Sequence, residues 1–238
     1  MMTYNYQSFD PKAYDLVNFR GPQPGSKAPG FEVVLATGGV VRLAEFDGDF
    51  LVLEMGSLTC PLFQGRRPAM ARLDRTQADV SFAVLYVREA HPGDKIGAHQ
   101  TMADKQRCAQ RLVTDEGEAR RVLVDDIDGT VHAAYGSYPN SVFIINRNGC
   151  VVYASDWNNP ATTGKALALL KAGKPALLRA WFKPVPPQVS LRVLGNGGRG
   201  SMADFLRGLP RLIWGNLIRR NLRLLLGRPA GVAPDAQC

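Results

Sequence analysis

The sequence predicts an α/β protein with a central mixed sheet and helices on both faces. The 238 residues are 45% hydrophobic and 21% charged, which is a globular composition. Short apolar runs alternate with helical segments from residue 31 to residue 172. The resulting order, β-β-β-α-β-α-β-α-β-β-α, places helices between parallel strands and an antiparallel hairpin at one edge.

Each predicted strand is a short apolar run bounded by turn residues. Residues 49–55 and 81–87 are almost continuously apolar, which is typical of strands buried on both faces. Gly38-Gly39 forms a turn between the first two strands, and Asn148-Gly149 is a strong hairpin signal between the last two. The predicted strands are 31–35, 40–43, 49–55, 81–87, 121–124, 141–146 and 150–154.

The predicted helices follow these strands. Pro61 marks the start of the first helix, because the first helical position needs no N–H. The remaining helices are predicted over 103–112, 128–135 and 163–172. This arrangement is that of the thioredoxin-like fold, here with an N-terminal β extension and a basic C-terminal helical tail.

The chain is predicted to have three parts. Residues 1–25 are interpreted as a loosely packed lead-in, and residues 26–174 as the thioredoxin-like domain. Residues 175–238 form a basic, partly amphipathic tail, and residues 171–238 contain twelve Lys and Arg but only two Asp and Glu. This charge asymmetry suggests a membrane surface or a polyanion as partner.

The tail segment 202–226 combines apolar residues with five arginines. Residues 195–200 are predicted to be a flexible linker, and Pro210 is predicted to divide the segment. Two interpretations stand side by side. The segment is an amphipathic helix on an anionic membrane surface, or it docks on this protein or on a second subunit of a homodimer. Nucleic acid is a less favoured partner, because no recognition motif accompanies the arginines.

Cysteine usage excludes several classes of protein. The four cysteines form no CxxC pair and no cluster with histidine, so neither a disulfide scaffold nor a metal site is expected. A reducing, cytoplasmic location is the expectation. No apolar run reaches the roughly 18 residues that span a bilayer, so any membrane association would be peripheral.

Cys60 is the candidate nucleophile. It lies between a buried strand and a helix, where unpaired N–H groups and the helix dipole favour the thiolate. Its pKa is therefore predicted to fall, and the Thr59 hydroxyl is placed to donate to the sulfur. The alternative is a buried structural cysteine.

Two separated segments, residues 56–63 (GSLTCPLF) and residues 85–92 (LYVREAHP), resemble segments of the iodothyronine deiodinases. Residues 56–63 (GSLTCPLF) resemble the family's active-site stretch, in which selenocysteine stands at the position of Cys60. Residues 85–92 (LYVREAHP) look like its Tyr-Ile-Glu-Glu-Ala-His segment. Residues 124–126 and 133–136 match later family stretches, and the similarity covers about residues 28–172.

The resemblance implies a site and a chemistry. Cys60 would be the nucleophile, Thr59 its hydrogen-bond partner, and Glu89 with His91 the proton pair, because both pKa values can be tuned toward neutrality. The implied reaction is thiol-dependent reduction of a small molecule, such as reductive dehalogenation of an aryl halide. No cofactor is implied, and an external thiol such as glutathione or thioredoxin would regenerate the enzyme. Expected substrate contacts are Ser57, Pro61, Phe63, Arg88 and Pro139.

Some of these assignments have alternatives. Glu89 and His91 could instead belong to a solvated loop after the strand. Pro139 could be a cis proline that packs against the thiol, or a trans loop proline. Cys108 is a candidate resolving thiol, or a packed helix cysteine.

The sequence also departs from the family pattern. Leu58 stands where the family has one cysteine. The position of a second family cysteine falls near Ala119 and Arg120, so that cysteine is missing as well. Lys105 aligns near a family histidine, and Ser141 aligns with a family arginine. These departures affect iodothyronine binding and leave a thiol-dependent reductase with another substrate open.

Two other functions remain open from the sequence. One is a one-cysteine, peroxiredoxin-like peroxidase, although the peroxiredoxin spacing Pro-x-x-x-Thr-x-x-Cys is not met. The other is a non-catalytic protein that binds a membrane or a partner.

Overall fold

A computed structural model describes residues 4–16 and 18–238 of the chain. Seven strands form one sheet in the order β2-β1-β5-β4-β3-β6-β7. The strands are β1 Glu32–Leu35, β2 Val40–Arg42, β3 Phe50–Gly56, β4 Val80–Tyr86, β5 Arg121–Val124, β6 Val142–Asn146 and β7 Val151–Ser155.

The sheet is mixed. Strands β3, β4 and β5 are parallel, and β6 and β7 continue the sheet antiparallel on one side. On the other side β1 pairs antiparallel with β5, and β2 completes the edge. The predicted thioredoxin-like fold with its N-terminal β extension is confirmed.

Alternation along the central strands divides the core between the two faces of the sheet. Leu51, Leu53 and Met55 of β3 face one cluster, while Phe50 and Val52 face another. The core helices are α1 Pro61–Arg75, α2 Met102–Thr114, α3 Thr130–Ala134 and α4 Pro160–Lys171. Residues of α3 belong to the first cluster, and α1, α2 and α4 cover the opposite face.

The C-terminal tail is more ordered than the sequence predicts. Helix α5, Pro187–Gly197, includes part of the predicted linker. Helix α6, Ser201–Leu212, then runs without a break through a π-helical segment, Ile213–Arg220, into α7, Asn221–Leu226. Pro210 lies inside this run and does not divide it. We call residues 201–226 the tail helix.

The tail helix docks on the body of the protein. Gly208 lies against Phe9 and Pro11, where a Cβ would come within 2.6 Å of the proline ring. Arg220 is buried and pairs with Asp156, its Nε lying 2.8 Å from Oδ2. These contacts support the self-docking interpretation for one face of the helix.

The N-terminal segment also differs from its prediction as a loosely packed lead-in. Its buried residues Tyr6, Phe9, Tyr14 and Leu16 form a cluster with Tyr138 and Trp157. The aromatic side chains pack edge-on or tilted, for example Tyr14 against Tyr138 at 6.3 Å between ring centroids. Aromatic pairs of this kind stabilise a packed segment.

A disulfide joins Cys150 to Cys238. The sequence predicts no disulfide scaffold, and it does not indicate this single pairing. The side chains of Asn146 and Asn148 donate hydrogen bonds to carbonyls of residues 234–236. These bonds hold the segment before Cys238 against the β6–β7 hairpin, so the two cysteines meet only in the tertiary structure. A persistently reducing compartment would not maintain such a bond.

Within the described part of the chain, no helix is both long enough and apolar enough to cross a membrane.

Candidate functional site

The candidate site lies at the carboxyl edge of the parallel strands. Gly56 at the end of β3 pairs with Tyr86 at the end of β4. The segments after both strands therefore emerge side by side, and they carry Cys60 and the pair Glu89 and His91.

Cys60 is the N-cap of α1 and is buried. The backbone N–H groups of Leu62 and Phe63 point to its sulfur, and Arg66 lies one turn further along the helix. Burial nevertheless raises the pKa of the thiol to about 12. The loss of water destabilises the thiolate more than the two N–H groups and Arg66 stabilise it. The prediction of a lowered pKa is wrong.

A buried polar network supports the helix beneath Cys60. Arg66 donates to Asn140 Oδ1 at 2.7 Å, and Asn140 donates to Glu54 Oε1 at 2.8 Å. Glu54 also pairs with Arg120 at 2.7 Å. Burial lowers the pKa of Arg66 to about 10, which leaves it cationic at neutral pH. This network fixes a positive charge near the sulfur.

Thr59 does not donate to the sulfur, contrary to the prediction. Its Oγ1 donates to Glu89 Oε2 at 2.6 Å and accepts from the His91 backbone N–H at 3.1 Å. A hydroxyl has one hydrogen, so the bond to Glu89 uses the only donor. Thr59 therefore joins the segment after β3 to the segment after β4.

Glu89 is held by further groups that the sequence does not indicate. Tyr86 Oη donates to its Oε1, and His99 Nε2 lies 3.3 Å from the same oxygen. Burial raises the pKa of Glu89, but the contacts from His99, Thr59 and Tyr86 outweigh burial and hold the pKa below its usual value. His99 carries no sequence signal beyond being one of three histidines.

His91 lies apart from the Glu89 carboxylate. Its ring packs against Phe9 at 4.2 Å and against Phe205 at 5.3 Å between centroids. Burial lowers its pKa to about 3, so the imidazole is neutral at pH 7. Neither Glu89 nor His91 has a pKa near neutrality, and that part of the prediction is wrong.

Cys60 and His91 both line one apolar cavity of about 790 Å³, including its open mouth. Pro61 and Pro139 line it as well, as the sequence predicts for substrate contacts. The N-terminal segment contributes Phe9, Tyr14 and Leu16. The region after residue 180 contributes Phe182, Pro184, Val185, Phe205, Leu209, Leu212, Ile213 and Leu217, among others. The sequence indicates neither of these walls, because only tertiary packing brings them to Cys60.

Three predicted substrate contacts lie outside the cavity. Ser57 is buried, and its Oγ accepts from the Ala90 N–H at 3.3 Å. Phe63 packs beneath Gly56. Arg88 is enclosed by three tyrosine rings of the N-terminal segment, with its guanidinium carbon 4.8 to 5.1 Å from their centroids. These residues support the site and do not face a substrate there.

The two proposed roles for Pro139 are resolved by the backbone. No cis peptide bond occurs among residues 4–16 and 18–238, so the Tyr138–Pro139 bond is trans.

Cys108 is a free thiol on α2 beside Glu89 and His99, and ligand atoms of the three residues lie within 4.8 Å of one another. The Glu89 carboxylate is already held within the protein. Its Oε2 accepts from Thr59 N and Oγ1, its Oε1 accepts from Tyr86 Oη, and His99 Nε2 lies 3.3 Å from Oε1.

The geometry therefore combines a buried thiol, a neutral imidazole and aromatic walls. Such a cavity suits an apolar, ring-shaped ligand, because it offers aromatic surface and few polar groups. The Cys60 thiol is part of the lining, and its sulfur is the candidate nucleophile.

The chain is similar in sequence to known proteins. A family model described as iodothyronine deiodinase matches residues 1–160. A thyroxine 5-deiodinase of Aquarana catesbeiana is 32% identical over 192 residues, covering 75% of this chain and 65% of that protein. The enzyme of the same name from Ovis aries is 33% identical over 149 residues, covering 57% of this chain and 50% of that protein. The chain thus matches about half to two thirds of the length of these relatives.

Two solved structures share the fold. An uncharacterised conserved protein from Geobacillus kaustophilus gives a TM-score of 0.52 at 22% identity, covering 70% of this chain and 87% of that chain. A hypothetical protein from Sinorhizobium meliloti 1021 gives 0.51 at 22% identity, covering 65% and 85%.

Proposed function

The chain belongs to the iodothyronine deiodinase family, and from this premise we propose that it is a thiol-dependent reductase that removes a halogen from an apolar aromatic substrate. The observation that carries the proposal is the shared cavity of Cys60 and His91, whose walls are apolar and aromatic. Family membership supplies the reaction class, and the cavity supplies the class of substrate.

The proposed reaction is balanced by two external thiols. The Cys60 sulfur bonds to the halogen as the carbon–halogen bond breaks, and the ring carbon takes up the thiol proton. An external thiol then attacks the sulfenyl halide, which gives a mixed disulfide and releases the halide with a proton. A second external thiol restores the Cys60 thiol and leaves as a disulfide.

The thiolate is the nucleophilic form of cysteine, whereas the Cys60 thiol keeps its proton at neutral pH. The sulfur therefore has to lose this proton as it bonds to the halogen, and the same proton is needed at the ring carbon. We assign His91 to this transfer, because its neutral imidazole lines the cavity and its Nδ1 has no hydrogen-bond partner in the described residues. Thr59 and Glu89 act as positioning residues through the His91 backbone.

Part of the cavity wall lies outside the family match. The matched residues end at 160, whereas Phe182, Phe205 and Leu209 contribute to the cavity from beyond that point. Iodothyronines are one member of the proposed class, because relatives bear the name thyroxine 5-deiodinase. Simple aryl iodides are another.

Halide release tests the proposal directly. Wild-type protein with dithiothreitol should release iodide from thyroxine or from a panel of iodophenols, and Cys60→Ser should reduce the rate at least a hundredfold, because the sulfur nucleophile is lost. Cys108→Ser is the matched control, since it removes the other free thiol and should retain the activity. Equal release by wild type and Cys60→Ser, or no release from any aryl halide, would overturn the proposal.

The peroxidase alternative has less support. The family model that matches the chain is that of the deiodinases, and the peroxiredoxin spacing Pro-x-x-x-Thr-x-x-Cys is not met in this sequence. Peroxide consumption under the same reducing conditions provides the comparison, and peroxide turnover without halide release would favour the peroxidase.

A further inference from the structure

The tail helix, residues 201–226, has a second face that nothing in the described chain covers. Its inner face is buried through residues such as Ser201, Gly208 and Arg220. The outer face exposes large apolar side chains to between 41% and 78%. They are Leu206, Trp214, Ile218, Leu222, Leu225 and Leu226, together with Ile213, which lies at the edge of this face and also lines the cavity.

The exposed apolar residues form a continuous stripe. From Trp214 they recur every four residues, at Ile218, Leu222 and Leu226. A spacing of four drifts around an α-helix, which has 3.6 residues per turn. Trp214 and Ile218 lie in the π-helical segment Ile213–Arg220, whose wider turns offset this drift, while Leu222 and Leu226 lie in α7. The mixed geometry thus limits the drift of the stripe along the helix.

A row of arginines runs beside the apolar stripe. Arg207, Arg211, Arg219 and Arg223 are all exposed and are also spaced by four or eight residues. Arg207 pairs with Asp204, while the other three form no ion pair among the described residues. Asp204 is the only acidic residue of the tail helix.

We propose that this outer face binds an anionic membrane surface, with the tail helix lying flat at the level of the lipid headgroups. An apolar stripe flanked by basic residues is the pattern of an interfacial helix. Arginines near such a surface are attracted by anionic lipids. Trp214, which is 60% exposed, is a residue type enriched at membrane–water interfaces.

The charge of the outer face favours a membrane, rather than a second copy of the chain, as its binding partner. In a twofold dimer formed through this face, the arginine row of one subunit would lie close to the arginine row of the other. These like charges would repel each other. An anionic surface instead neutralises the unpaired arginines. The inference is independent of the proposed chemistry, because Cys60 and His91 face the cavity on the other side of the helix.

Vesicle sedimentation of the full chain tests this inference. Wild-type protein should sediment with phosphatidylcholine vesicles containing 30% phosphatidylglycerol, and much less with phosphatidylcholine alone. The double variant Arg219→Glu/Arg223→Glu should weaken binding at least tenfold. Arg75→Glu/Lys165→Glu is the matched control, because it makes the same charge change at exposed positions elsewhere and should lower binding less than threefold.

A second readout reports on the apolar stripe. Tryptophan fluorescence should shift to the blue on vesicle binding, and Trp214→Phe should lose most of this shift while it still sediments. Absence of wild-type sedimentation with anionic vesicles, or equal losses in the two charge variants, would overturn the inference. A stable dimer in light scattering that is broken by Ile218→Ser/Leu222→Ser would also overturn it, because the stripe would then be a subunit interface.

Discussion

The Cys60 sulfur experiences two opposing effects. Its position at the start of α1 supplies the N–H groups of Leu62 and Phe63, which stabilise a thiolate. Its burial removes water from the same sulfur, and this effect is larger. A helix N-terminus therefore does not by itself make a cysteine acidic, because the outcome depends on how much solvent the fold leaves.

The raised pKa predicts an unusual alkylation profile for Cys60. With a pKa of about 12, the thiolate fraction should rise roughly tenfold per pH unit across pH 7 to 10, because only the thiolate reacts. We expect the iodoacetamide rate to follow this rise without a plateau, as measured by peptide mass spectrometry in a Cys108→Ser background. A plateau reached by pH 8 would show that the pKa is not raised.

At the residue scale, the sequence indicates which residues meet at the ends of the strands but not the hydrogen bonds between them. Cys60, Glu89 and His91 stand out because each follows a strand whose apolar run is easily read. The hydrogen bond between Thr59 and Glu89 and the contact of His99 with Glu89 cannot be recognised in the sequence in this way. Both depend on side-chain orientation across segments that are 30 and 10 residues apart in the chain, and no local pattern encodes this.

At the scale of elements, replacing two helical glycines of the tail by alanine should have opposite effects on the free energy of unfolding. A Cβ added at Gly208 of α6 would lie 2.6 Å from Pro11, whereas a Cβ added at Gly195 of α5 would meet nothing within 4 Å. Alanine favours a helix over glycine by about 1 kcal/mol. Gly195→Ala should therefore raise the free energy of unfolding by up to about 1 kcal/mol.

Gly208→Ala should instead lower the free energy of unfolding by about 1 to 3 kcal/mol, which is typical of overpacking. Urea unfolding of both variants beside wild type measures the difference. If both alanines stabilise the protein equally, α6 does not dock against the N-terminal segment as described.

The predictability of the elements follows their packing. All seven strands and the four core helices lie near the bounds that the sequence predicts, because buried strands leave continuous apolar runs. Helix α5 has no such signal, since it begins at Pro187 after a proline-rich stretch and ends in glycines. Its formation depends on packing, for example of Gly197 against the segment at His91, rather than on helix propensity.

At the scale of the whole molecule, the disulfide ties the last residue of the chain to the β6–β7 hairpin. Cys150 and Cys238 are 88 residues apart, and loop-closure entropy for such a span corresponds to about 4 to 5 kcal/mol. Cys238→Ser should therefore lower the free energy of unfolding by up to this amount under oxidising conditions. Urea unfolding with and without dithiothreitol measures it.

Reduction provides the control for this prediction. In dithiothreitol, wild type and Cys238→Ser should unfold at the same urea concentration, and Cys108→Ser should resemble wild type in both conditions. Identical wild-type midpoints with and without reductant would contradict a stabilising disulfide.

The cavity over Cys60 is assembled from three separate stretches of chain, and only the middle one carries the nucleophile. Under the proposed function, molecules that enter the cavity would meet side chains far from Cys60 in the sequence. These distant residues are also bonded to the site, since Arg66 donates to the Lys183 carbonyl and Ser201 donates to the His91 carbonyl. A change in residues 182–217 would thus affect the entry of ligands and the support of the thiol together.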